Sequence, residues 1–163
     1  MEENSNHSPS VDNVEERRLT LRKGEKLRHK SLVGGLFSGG KSIYDFPVRL
    51  VWRTLTNEEL DANFRAGMPE RLGKMQMLIT IPKKKRRRAV DRVLLRRRLR
   101  EAYRLNRLPL SRVIEKREDI ATLSMAFIFL GEENTSYTEL EKKMVGLLSR
   151  LEKKIEKINK NPE

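Results

Sequence analysis

The chain has 163 residues, enough for one ordinary domain with some flexible tail and too few for a multidomain enzyme. Its 36 Lys and Arg outnumber 23 Asp and Glu for a net charge of +13, which points to a polyanionic partner, while 37% hydrophobic residues still suffice for a core. With no cysteine, disulfides, thiol chemistry and Cys-ligated zinc are excluded.

Residues 1 to 18 are acidic and polar, lack apolar periodicity, and are expected to form a disordered tail without the basic start and apolar centre of a secretory signal. A first helix is predicted from Glu25, with Leu27, Leu32, Val33, Leu36 and Phe37 at spacings of three and four, ending at Gly39-Gly40. Ile43 and Tyr44 suggest a short strand. Pro47 opens a clearer one over Val48 to Leu55. Residues 57 to 73 are polar, contain Gly and Pro, and read as a long connection. Met75 to Ile81 is a further strand closed by Pro82, followed by a basic helix from about Arg86 to Asn106 that Pro109 stops. Ser124 to Leu130 is another strand, ended by Gly131. Thr135 to Ile158 places Leu140, Met144, Leu147, Leu148, Leu151, Ile155 and Ile158 on one face of a long amphipathic helix. Helix, strands, helix, strand, helix is the order of an α+β domain, a small sheet packed with three helices. Residues 159 to 163 are left as a C-terminal tail, so the domain is expected over 19 to 158.

The charge is concentrated. Lys83 to Arg107 holds 13 basic side chains against only Asp91 and Glu101, so this stretch alone carries +11 of the +13. A solvated helix face normally mixes signs, as the C-terminal helix does; one-sided charge in a foldable chain reads as a docking surface for phosphates, as in a nucleic acid. At 100° per residue, Leu95, Leu99, Ala102 and Asn106 share a narrow seam, whereas Arg97, Arg100 and Arg104 follow one another on a different face. Stacked guanidinium forks can donate in pairs to successive phosphates. Lys83, Lys84, Lys85, Arg86, Arg87 and Arg88 add charge at the N-terminal end of the helix, and Arg96 and Arg107 are expected beside the arginine line.

The segment IPKKKRRRAVDRVLLRRRLREAYRLNR, Ile81 to Arg107, resembles the signature of the protein component of bacterial ribonuclease P. Ala89, Val90, Arg92, Arg97, Arg100, Glu101, Ala102, Tyr103 and Arg104 match the family pattern, and Arg96 replaces a lysine conservatively. Upstream, Leu27-Arg28-His29-Lys30, Leu36-Phe37 and Gly40-Lys41-Ser42 resemble the opening helix and the turn after it. Val93 stands where the family has asparagine, Leu94 where many members have a second arginine, and Val33 where many have phenylalanine.

The resemblance implies an α+β fold with a left-handed strand-helix-strand crossover, like the second domain of ribosomal protein S5. It also implies a subunit that binds the catalytic ribonuclease P RNA and the 5′ leader of precursor tRNA. Lys83, Lys84, Lys85, Arg88, Arg92, Arg96, Arg97, Arg100 and Arg104 are then expected to face RNA, and Phe37, Tyr44 and Trp52 to line the leader cleft. In that family Mg²⁺ acts through the RNA. The sequence itself offers no nucleophile and base pair and no metal-ligand spacing, since His7 and His29 are its only histidines. The alternative is a structural RNA-binding protein, ribosomal or an assembly factor, with no part in tRNA processing. A membrane partner is not expected, because the apolar runs fall well short of about 20 residues and the seam of Leu95, Leu99 and Ala102 is too narrow to rest on a bilayer. A cytoplasmic location follows by default.

Overall fold

The computed structural model describes residues 19–69 and 72–158; the two tails expected from the sequence lie outside the described residues. After a 3-10 turn at Lys23–Glu25, the chain forms α1 (Lys30–Gly39), β1 (Lys41–Asp45), β2 (Val48–Leu55), α2 (Asn57–Asn63) and β3 (Met75–Thr80). It continues through α3 (Ala89–Asn106), α4 (Leu108–Glu115), β4 (Thr122–Phe129) and α5 (Tyr137–Ile158). One sheet, ordered β1-β2-β4-β3, holds all four strands. β1 and β2 form an antiparallel hairpin, β2 pairs antiparallel with β4, and β3 runs parallel to β4. Parallel neighbours need a crossover, and α3 with α4 supplies it.

The period-2 alternation of the strands separates two cores. One face carries Ile43, Leu50, Trp52, Met77, Met125 and Phe127, covered by Leu95, Leu99, Ala102 and Tyr103 of α3 and by Leu140, Met144, Leu147 and Leu151 of α5. The other carries Val51, Leu55 and Ala126, covered by Leu32 and Leu36 of α1 and by Leu60 of α2. The seam predicted on the basic helix therefore packs as expected, with Tyr103 added to it.

Several boundaries differ, for identifiable reasons. The first helix starts at Lys30 rather than Glu25, because Lys26 bridges to Met77 and the Leu27 N–H donates to the Met77 carbonyl at 2.9 Å. Leu27 is thus buried from an extended segment beside β3 rather than from a helix turn. The polar connection contains α2, whose N-terminus is capped by Thr56 Oγ1 accepting from Glu59 N and favoured by Glu58 and Glu59 in the first turn. Lys83 to Arg88 is not helical: the Pro82 carbonyl accepts from Lys85 N and Arg86 N in a turn, and the helix begins at Ala89. That helix does end at Asn106, but Pro109 lies in the first turn of α4, where a missing N–H costs nothing. Among the described residues there are five helices, the two beyond the expected three being α2 and α4.

Candidate nucleic-acid interface

α3 is held by its seam, with Leu95, Leu99, Ala102 and Tyr103 fully buried, so the residues on the opposite arc must face solvent. Val93, Arg97 and Arg100 are exposed there, and Arg96 and Arg104 stand half-buried at its margin. Arg104 is oriented by Glu101, which accepts from its Nε and Nη2 at 2.9 and 2.6 Å. That bond, reinforced by the arginine's charge, holds the Glu101 carboxyl below the usual range against the opposing effect of burial. Arg100 also lines a recess with Lys26, Arg28, Met77 and Leu78, so the cationic surface extends past α3 to the segment beside β3. The sequence reading assigns neither Lys26 nor Arg28 to this surface, because nothing local marks them as neighbours of α3.

The basic turn before α3 joins this surface. Lys83, Lys84, Lys85, Arg87 and Arg88 are exposed, and no side chain caps the α3 N-terminus. Lys85 has one acidic neighbour, Glu132, at 3.8 Å. Arg86 serves as the turn's anchor: it donates to the Glu132 carbonyl and to Asn134 Oδ1 and pairs with Asp91 at 3.2 Å. Arg92, grouped with the phosphate-facing residues on sequence grounds, is half-buried and donates from Nη1 to the carbonyls of Arg86 and Arg87 at 3.0 and 2.7 Å. It shapes the turn that presents its neighbours.

Other arginines are structural. Arg98 donates to the Thr135 carbonyl at 2.6 Å, and Arg117 donates to Asp119 and to the Ile155 carbonyl, tying β4's approach to α5. Arg107, buried to 3% exposure, pairs with Glu25 at 2.9 Å and donates to the carbonyls of Leu19 and Thr20. It fastens the segment before α1 to the end of α3.

The second surface is the side of the sheet under α1. α1 covers the Val51 and Leu55 half of β2 and leaves the other half open. Phe37, at the C-terminal end of α1, is 49% exposed, and Tyr44 on β1 is 59% exposed. Arg49, opposite Tyr44 in register, lies 5.3 Å from its ring centre and bonds Ser42 Oγ. Arg53, two periods further along the same face, lies against Gly35 of α1, where an added Cβ would come within 2.4 Å of its Nη1. Phe37 and Tyr44 are thus both exposed, Phe37 at the end of the helix over this side and Tyr44 on β1. Trp52 is not. It is 3% exposed and points to the opposite face, into the core with Leu50, Met125 and Phe127, because its position in β2 has the parity of Leu50. It is a packing residue with Lys41 over one side of its ring at 5.5 Å.

Residues 21–152 match the family profile described as Ribonuclease P. The chain belongs to the ribonuclease P protein family. Ribonuclease P protein components from two strains of Porphyromonas gingivalis are 32% identical to it over 131 residues, covering 80% of this chain and 85% of theirs. Among solved structures, the Staphylococcus aureus RNase P protein superposes with a TM-score of 0.54 at 13% identity, over 79% of this chain and 96% of that one. The Thermotoga maritima RNase P protein gives 0.51 at 22% identity, over 77% and 96%. These likenesses carry the fold. Membership makes the chain a component of an endoribonuclease complex with an RNA partner, and its arginine helix and basic turn are the surface that suits one. Among the described residues, no three His, Asp or Glu side chains gather where a metal ion could be held, and no helix is long and apolar enough to cross a membrane.

Proposed function

We propose that this ribonuclease P protein binds the catalytic RNA through α3 and the basic turn, and the 5′ leader of precursor tRNA through the open side of the sheet. The observation that carries the reading is the placement of the charge: +11 of the chain's +13 lies between Lys83 and Arg107, and Arg97 and Arg100 on α3 are exposed, as are Lys83, Lys84 and Arg88 in the turn before it. Phe37 and Tyr44 on the second surface suit a leader of variable sequence, because every base has a π-face. In this reading the protein has no active site of its own. Bound Mg²⁺ supplies the hydrolytic chemistry from the RNA, and the protein's cations offset phosphate repulsion so that less Mg²⁺ is needed. The complex works in the cytoplasm.

The test is multiple-turnover 5′ cleavage of precursor tRNA by a bacterial ribonuclease P RNA at low Mg²⁺, with and without the protein. Stimulation that grows with leader length is the expected result. Tight RNA binding without stimulation would overturn the proposal in favour of a purely structural RNA-binding role.

A further inference from the structure

On the side of the sheet that α1 leaves open, Tyr44, Arg49, Ile128 and Thr80 stand in register, one on each strand. At about 4.8 Å per strand this row spans roughly 14 Å. At one end Thr80 leads through Ile81 and Pro82 into the exposed lysines of the basic turn. At the other end the chain runs from Tyr44 to the tip of the β1–β2 hairpin, where Phe46 is 70% exposed, the most exposed aromatic among the described residues. Leaving a phenylalanine in water forfeits the burial that normally fixes its place.

The tip is held firmly. Arg150 Nη1 donates to the Tyr44 carbonyl at 2.9 Å, Lys143 pairs with Asp45 at 3.0 Å, and Leu130 N donates to the Pro47 carbonyl at 2.7 Å. Tyr44 thus has Arg49 against its ring and Arg150 at its carbonyl, and Phe46 follows two residues later on the pinned turn. A patch this small cannot supply the roughly 1,200 Å² of a stable protein interface. A ring with cationic neighbours does suit a single unpaired base, which it can stack while the cations meet the phosphates.

We propose that the β1–β2 hairpin tip is a second stacking station for single-stranded RNA, with Phe46 as its principal residue and Tyr44, backed by Arg49, beside it. The proposal rests on the leader-binding reading above and extends it: an RNA strand on the open floor crosses the four strands and ends on the hairpin, beyond any nucleotide that Phe37 reaches.

The experiment is a binding titration of the holoenzyme, reconstituted with a bacterial ribonuclease P RNA, against precursor tRNAs whose leaders lengthen one nucleotide at a time. Wild type, Phe46→Ala and Phe46→Trp are compared, and circular dichroism verifies that these exposed substitutions leave the fold intact. Phe46→Ala is expected to match wild type on the shortest leaders and to lose about 5- to 10-fold on leaders long enough to reach the hairpin, the low end of a single stacking contact. Phe46→Trp should restore the loss. If affinity rises with leader length in wild type and Phe46→Ala follows it at every length, the hairpin station is wrong while the leader reading stands. If wild type shows no length dependence, the leader reading itself falls and the station with it. A Phe46→Ala defect in affinity for the catalytic RNA, with the leader series unchanged, also overturns the proposal.

Discussion

Arg97 and Arg107 both belong to the charge-rich segment, yet their surroundings are opposite. Arg97 is exposed on the outer arc of α3, whereas Arg107 is buried against Glu25 and three backbone carbonyls. Removing one partner of a buried pair strands the other, at a cost of about 3–5 kcal/mol. Arg107→Ala is therefore expected to lower the thermal midpoint sharply, and Arg97→Ala to stay within about 0.5 kcal/mol of wild type, both read by thermal unfolding. Glu101 has a pH signature. Its carboxyl titrates below its unfolded value of about 4.3, so the contribution is fully present above that pH and is lost as pH falls through the folded value. Glu101→Gln should flatten that acid limb by less than about 1 kcal/mol, because the pair is substantially exposed. Val93, 42% exposed on the outer arc one turn before Arg97, offers RNA no hydrogen bond. Val93→Asn is expected to tighten binding to the catalytic RNA about 2- to 10-fold, the value of one added hydrogen bond, measured by filter binding. Sequence periodicity separates Leu95 and Leu99 from the arginines. It cannot separate Arg97 from Arg107, because the groups that engage Arg107 come from before α1, far away in the chain.

At the scale of elements, what could be read were segments whose burial is dictated locally. α5 has one wide apolar stripe, β2 has β-branched residues after a proline, and the seam of α3 repeats at three and four. What escaped were segments ordered by distant partners. Leu27 looks helical until Met77 is placed beside it, α2 is one cap and one buried leucine in a polar stretch, and Pro109 stops one helix while opening another. Trp52 shows the same limit within a strand. Sequence places it in β2 but cannot say which face α3 and α5 will cover, and that choice removes it from the cleft. The seam makes α3 a structural element before it is a binding one. Leu99→Ala should cost about 2–5 kcal/mol and shift the urea midpoint. The pair Arg97→Ala and Arg100→Ala should leave that midpoint in place and instead reduce the slope of log affinity against log salt by about 1.4 to 1.8, or 0.7 to 0.9 for each lost phosphate contact.

In the whole molecule, the sheet stands between two surfaces of different character. α3 covers one face and turns its cations outward, while the opposite face lies open beside α1 with Phe37, Tyr44 and Arg49 along it. The basic turn after β3 is where the two meet. A protein built this way can grip a folded RNA through phosphates on one side and an unpaired strand through bases on the other. The two tasks should then be separable by mutation. Arg97→Ala with Arg100→Ala should weaken assembly with the catalytic RNA and leave the preference for longer leaders intact once assembly is driven by excess protein. Phe37→Ala should do the reverse, assembling normally and losing about 5- to 10-fold in affinity for leader-bearing precursor tRNA. Because the two sets of side chains share no contact and are divided by the core, the triple variant should show the sum of the two free-energy losses to within about 0.5 kcal/mol. The readout is a pair of titrations, protein into RNA and precursor tRNA into holoenzyme. A Phe37→Ala variant that fails in the first titration, or a triple variant far from additive, would show that one RNA surface rather than two runs around the domain.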